Sequence, residues 1–167
     1  MVVIGIDPGT RCLGFGVLRV EKDQGETLGY GVLNINIKLT FPKRLLQIHE
    51  KVQALILQHH PDVIAVEEAF VYKNAKTALA LGHARGAVLL SAALKNIDVA
   101  EYAPRDIKKA VTGNGAASKQ QVQWMVAQML HVPTHDLAED AADGLAVALC
   151  HAMRHQDNNP VHQDKQA

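Results

Sequence analysis

Net charge is what this sequence has least of: 17 Lys and Arg residues balance 17 Asp and Glu residues in a chain of 167. A nucleic-acid binder usually carries a basic excess, so the balance taken alone argues against one. Cysteine is nearly absent as well. Cys12 and Cys150 stand far apart and match no metal-ligand spacing, which predicts a reducing compartment and thiols without a task. No long apolar run exists either. The longest charge-free window, Gln120–His135, holds four Gln and ends in Pro–Thr–His, so no transmembrane helix fits. The start, Met1–Gly5, lacks the basic region of a secretory signal. Internal repeats and low-complexity segments are missing too. What remains is a globular, cytoplasmic chain long enough to bury roughly 70% of its unfolded surface in one domain. That domain is predicted over residues 1–153, with residues 154–167 (RHQDNNPVHQDKQA) a polar, disordered tail.

The elements present follow a definite order. Val2–Asp7, Leu13–Val20 and Leu28–Ile37 read as strands, the second and third joined by a turn at Asp23–Glu26; such short connections favour antiparallel neighbours. Leu45, Ile48, Val52, Leu55 and Ile56 recur at helical spacing, predicting a helix over about Lys43–His59 that Pro61 stops. Val63–Val66 is a continuous apolar run of the kind buried on both faces in parallel pairing. Ala75–Leu94 reads as a helix, and Val99–Ala103 as a short strand closed by Pro104. Ser118 and Gln121 form a capping box before an amphipathic helix through Leu130, and a last helix covers about Leu137–Met153. The expected fold is α/β: a mixed sheet of three antiparallel strands followed by parallel strands, flanked by helices.

Carboxylates occur where such a sheet places its sites. Asp7 ends the first strand and opens the turn Asp7–Pro8–Gly9–Thr10, outside a strand's carboxyl end, although a turn Asp that bonds its own backbone reads the same way. Glu67 and Glu68 close the Val63–Val66 run. Alternation sends them to opposite faces, so only one can join Asp7, and a strand end emerging into solvent accounts for both equally well. Asp140 and Asp143 lie three residues apart on the last helix and can reach one point, while Asp136 and Glu139 beside them suit the dipole of a helix start. Three segments thus deliver acids to one rim. An oxygen-only cluster selects hard cations such as Mg²⁺ or Mn²⁺, and two ions of that kind serve in-line displacement at a phosphodiester. The nine histidines form no metal-ligand pattern, and helix-end or surface roles explain most of them.

The charge balance conceals a segregation. Residues 69–135 hold eight basic side chains (Lys73, Lys76, Arg85, Lys95, Arg105, Lys108, Lys109, Lys119) against three acids. The remainder of the chain carries the compensating acidic excess, four of its acids being the candidate ligands. A basic middle beside an acidic cluster is what a phosphate-tracking metal nuclease needs, although Lys76 and Lys95 read best as ordinary solvated lysines.

Five stretches, in order, complete the reading: GIDPGTR at Gly5–Arg11, EEAF and KN within Glu67–Asn74, LGHARG at Leu81–Gly86, GNGAASKQQV at Gly113–Val122, and DAADGLAVA at Asp140–Ala148. Together they resemble the RuvC family of Holliday-junction resolvases, members of the RNase H-like nuclease superfamily. The resemblance implies an RNase H-like sheet and an endonuclease that cuts four-way DNA junctions in recombination and repair. It implies two Mg²⁺ ions per site (Mn²⁺ substituting) on Asp7, Glu67, Asp140 and Asp143, and it selects Glu67 over Glu68. It further implies DNA contacts from Phe70, Lys73, Asn74, Arg85, Lys108 and Lys119, with Lys119 also catalytic. A homodimer working beside the RuvA–RuvB branch-migration complex, and nicks bearing 5′-phosphate and 3′-hydroxyl, belong to the same implication. Two departures stand out: Glu68 where Gln is common, and Gly144 where Ala is usual, a change costing a helix about 0.5–1 kcal/mol unless close packing needs it. The competing expectations are an RNase H-like nuclease for RNA–DNA hybrids and an actin-like ATP-binding domain, for whose second lobe the chain leaves no room.

Overall fold

The computed structural model describes residues 1–21, 24–68 and 74–157. Strands β1 (Val2–Asp7), β2 (Cys12–Glu21), β3 (Gln24–Asn34), β4 (Val63–Glu67) and β5 (Asp98–Tyr102) form one sheet in the order β3-β2-β1-β4-β5. β1 and β2, and β2 and β3, pair antiparallel; β1 and β4, and β4 and β5, pair parallel. The helices are α1 (Phe41–His59), α2 (Ala75–Ala93), α3 (Pro104–Thr112), α4 (Lys119–Leu130) and α5 (Glu139–Asp157). This is the expected mixed sheet with its antiparallel side.

Each face of the sheet carries its own core. Ile4, Ile6, Val17, Ile64 and Val66 pack with Ile48, Val52, Leu55 and Ile56 of α1 and with Ala84, Val88 and Ala92 of α2. Val3, Leu18, Val63 and Ala65 pack on the opposite face with α3, α4 and α5. Alternation along β1 and β4 therefore turns Asp7 and Glu67 toward α5 and Glu68 away from it.

On that face the sheet is lined with glycine. A Cβ on Gly5 would strike the backbone of Gly144 and Ala148; one on Gly14, the backbone of Asp140; one on Gly16, Leu145. From the helix side, a Cβ on Gly144 would lie 2.5 Å from Phe15 Cα. Helix α5 thus rests backbone-to-backbone on β1 and β2, and the departure at Gly144 is explained by close approach.

Several boundaries differ from expectation. β3 begins at Gln24 because Arg19 of β2 pairs with Glu26 at 2.9 Å, and it ends at Asn34, where Ile35 leaves the sheet to donate to the Arg11 carbonyl. Helix α3 was hidden behind Pro104, which opens it as a first-turn residue, with Ile107 and Val111 buried at i, i+4. Thr134–Asp136 is a 3₁₀ turn and the last helix starts only at Glu139, so Asp136 does not sit at that helix's start. That helix runs to Asp157, past the expected boundary at Arg154, because Arg154 pairs with Asp106 at 3.0 Å and lies over the Tyr102 ring. The Ser118–Gln121 capping box is formed as expected. No described helix is long and apolar enough to cross a membrane.

Helix propensity alone would make Gly144→Ala stabilising by about 0.5–1 kcal/mol. The seam reverses the sign: denaturant unfolding of Gly144→Ala is expected to show a loss of at least about 2 kcal/mol, and a gain would disprove the seam.

Candidate active site

Asp7 terminates β1, the strand at the centre of the sheet, and Glu67 terminates β4 beside it. With Asp143 of α5, Lys108 of α3 and Lys119 of α4 they line one small cleft of about 160 Å³, walled by Pro104, Ile107, Val122 and Ala146. Lys119 Nζ donates to Asp143 Oδ2 at 3.1 Å; the carboxylate is 18% exposed. Five elements contribute, and the glycine seam sets the depth at which Asp143 meets the two strand-end acids.

Burial pushes the Asp7 carboxyl up to about 7, with repulsion from Asp143 and Asp140 adding to it against the pull of Lys119. Glu67 is pushed up to about 8, again chiefly by burial, then by Asp7 and Asp143, with Lys119 and Lys108 opposing. Asp143 is also raised, since burial outweighs its bond to Lys119. Burial disfavours the Lys119 ammonium, yet Asp143, Glu139 and Asp7 hold its pKa above the ordinary lysine value. The cleft is therefore short of positive charge when all its acids are ionised.

Asp140 does not line this cleft. One helical turn earlier, its Oδ2 accepts from Cys12 Sγ at 3.2 Å, and burial together with this bond pushes the thiol pKa up, keeping the proton that the bond needs. Cys12 thus has a task that its spacing could not reveal, because its partner is 128 residues away. Arg44 is a second unforeseen participant: its guanidinium donates to the Thr10 carbonyl and so grips the turn that follows Asp7.

Two expected DNA contacts have local partners. Asn74 caps α2, its Oδ1 accepting from the backbone of Lys76 and Thr77. Arg85 pairs with Glu101 of β5, away from the cleft. Phe70 and Lys73 lie outside the described residues.

Among the described residues, no three His, Cys, Asp or Glu side chains stand close enough to ligate one ion. The donor chemistry nevertheless fits a hard divalent cation. The cleft offers only carboxylate oxygens, and their mutual repulsion in a buried setting calls for a compensating cation.

A mixed sheet of this order, with a C-terminal helix laid across its central strands, is the RNase H-like nuclease fold. The chain belongs to the crossover junction endodeoxyribonuclease RuvC family, whose model matches residues 3–151. It is 49% identical to the crossover junction endodeoxyribonuclease RuvC of Aliivibrio salmonicida over 90% of this chain and 86% of that one. The corresponding protein of Syntrophomonas wolfei is 45% identical over 90% of this chain and 88% of its own length. Among solved structures, T. thermophilus RuvC in complex with Holliday junction substrate superposes with a TM-score of 0.85 at 33% identity, covering 95% of this chain and 97% of that one.

The raised carboxyls carry a pH signature. The unfolded chain releases these protons near pH 4, the folded chain at about 7 and about 8. Between those limits the folded state binds more protons, so stability falls as pH rises. In chelator, unfolding free energy is expected to drop by on the order of 1–3 kcal/mol from about pH 5 to about pH 8. Asp7→Asn flattens the decline, and Mg²⁺ at the higher pH reverses it in the wild type. A wild type equally stable at both pH values in chelator would refute the assignment.

Proposed function

We propose that this protein cuts four-way DNA junctions by divalent-metal-dependent hydrolysis of phosphodiesters, leaving 5′-phosphate and 3′-hydroxyl nicks in recombination and repair. The observation that carries the reading is the convergence of Asp7, Glu67, Asp143, Lys108 and Lys119 on one cleft, in a chain whose family is named for crossover junction cleavage. It favours a junction over an RNA–DNA hybrid because the superposed T. thermophilus structure is described with a Holliday junction as its substrate.

Asp7, Glu67 and Asp143 of the cleft would hold the ions, two Mg²⁺ per site with Mn²⁺ as a substitute. Asp140, one helical turn away, would join them by exchanging its bond from Cys12 for an ion. Bound there, divalent ions supply the Lewis acidity that makes water nucleophilic near neutral pH and offsets charge at the phosphate. The chain's own part is positioning and electrostatics. Asp7 stands on a strand flanked by two others, a rigid base for a ligand. Lys119, kept protonated beside Asp143, donates to a phosphate oxygen and stabilises the charge that builds there. Lys108 contributes a second cation to the same wall, and the apolar side chains of Ile107 and Val122 limit the access of bulk water.

Resolution needs two cuts, and α2 supports a homodimer. Ala84, Val88 and Ala92 bury one side of this helix against the sheet, yet Leu90 and Leu94 remain 55% and 60% exposed, with open space at Gly86. A helix apolar on both sides is covered on both. Such a dimer acts in the cytoplasm beside the RuvA–RuvB branch-migration complex.

Asp7→Asn is expected to keep junction affinity within about threefold while lowering the cutting rate by at least about a thousandfold in Mg²⁺. Cleavage at the wild-type rate, or preferential cutting of a hybrid duplex by the wild type, would defeat the reading. Leu90→Glu is expected to yield monomers in sedimentation and single in place of paired incisions; an unchanged dimer would remove α2 from the interface.

A further inference from the structure

A second pocket opens on the other face of the sheet, between the turn that follows Asp7 and the first turns of α1 and α2. It measures about 650 Å³, and its lining includes Thr10, Phe41, Arg44, Lys76, Ala80 and His83. Phe41 and His83 meet edge to face, their ring centroids 5.8 Å apart. The Arg44 guanidinium lies 5.7 Å from the Phe41 ring centroid, and its Nε is buried with no hydrogen-bond partner among the described residues. Leu79, another lining residue, is 65% exposed, an uncovered apolar surface at the same place.

The chemistry of this pocket is one-sided. Its described lining contains Arg44 and Lys76 and no acid. Helix α1 begins there with no acidic residue in its first turn and no bond from the Thr40 side chain to its free amides, so the positive end of its dipole is uncompensated. An aromatic wall joined to cations and lacking anions matches a ligand that is both a flat ring and an anion. The volume lies in the range of small-ligand sites.

Its position identifies the source of that ligand. Thr10 follows Asp7 by three residues, so the turn spans at most about 11 Å, the rise of about three nucleotides along one DNA strand. A strand held at Asp7 therefore has this pocket within reach of about three of its nucleotides. Because Arg44 grips the Thr10 carbonyl, the pocket and the catalytic turn are mechanically joined.

We propose that the pocket receives one unstacked nucleotide of the strand being cut, its base against Phe41 and its phosphate on Arg44 and Lys76. The proposal rests on the junction-cleaving reading and adds a base-holding site to it. It gives the basic side chain of Lys76 a partner in place of bulk solvent, and it makes cutting sensitive to the ease with which the nucleotide beside the scissile phosphate unstacks.

The test pairs changes in protein and DNA. Junctions lacking a single base are prepared with the gap at successive positions within about three nucleotides of the cut. Their binding is measured in chelator to the Asp7→Asn protein and to the same protein carrying Phe41→Leu, which removes the ring, or Ala80→Phe, which fills the pocket. At one position, loss of the base is expected to weaken binding about five- to tenfold with Asp7→Asn alone and less than about twofold with either pocket change. Equal losses in all three proteins at every position overturn the proposal. Free dAMP at about 1 mM is expected not to displace the junction; displacement that Ala80→Phe abolishes would assign the pocket to a free nucleotide and overturn the strand assignment. Cutting of the intact junction by the wild type is scored alongside. Its absence marks failure of the functional reading, whereas normal cutting with no pocket dependence marks failure of this inference alone.

Discussion

The contact on which the rest of this protein depends is the seam between α5 and the first two strands. Gly5, Gly14 and Gly16 remove every side chain that would hold the helix off, and Gly144 removes the one that would hold it off from the other side. Leu145, Ala148 and Leu149 then seal the layer with the sheet's Val3, Leu18 and Ala65. Because the helix lies so close, its first turns reach the rim where β1 and β4 end. Asp143 lines one cleft with Asp7 and Glu67 there, and Asp140 accepts from Cys12. A small increase in the separation of helix and sheet would keep the fold and lose the site.

That placement costs stability. Three acids share a cleft with walls of Ile107, Val122 and Ala146; burial raises all three carboxyls, and nearby carboxylates, among them Asp140 and Glu139 of α5, add to it. Lys119 offsets part of this repulsion, as does Lys108 from α3. Buried carboxylates that repel one another when ionised favour a compensating cation, so the raised carboxyls and the proposed metal chemistry share one origin in the packing. The zero net charge of the chain takes on a different meaning in this light: it sums a basic middle and an acidic remainder, and the fold brings Lys108 and Lys119 of the one into a cleft with Asp7, Glu67 and Asp143 of the other.

Much of the architecture was legible because its signals are local. The apolar runs of β1 and β4, the period of α1 and the capping box of α4 each depend on residues within a few positions of one another. Helix α3 was missed because Pro104 ends one element and begins the next, and sequence pattern records only the interruption. The ends of β3 depend on cross-strand pairing of Arg19 with Glu26 and on Ile35 bonding to Arg11, neither of which is a neighbour in sequence. Among the DNA contacts that the resemblance implies, Asn74 and Arg85 are each held in the fold by a partner of its own, a helix N-terminus and Glu101.

From sequence came the identities of the acids, their location at strand ends and on one helix, and the segregation of basic from acidic stretches, since periodicity and composition are properties of contiguous chain. The folded arrangement supplied the choices that depend on which surfaces meet. It turned Glu67 toward α5 and Glu68 away, because parallel pairing with β1 and the position of α5 define an inside that alternation alone leaves open. It tied Asp140 to a thiol 128 residues distant and explained Gly144 by the backbone of Phe15. Those are contacts between remote segments, and no local pattern encodes the distance between two surfaces.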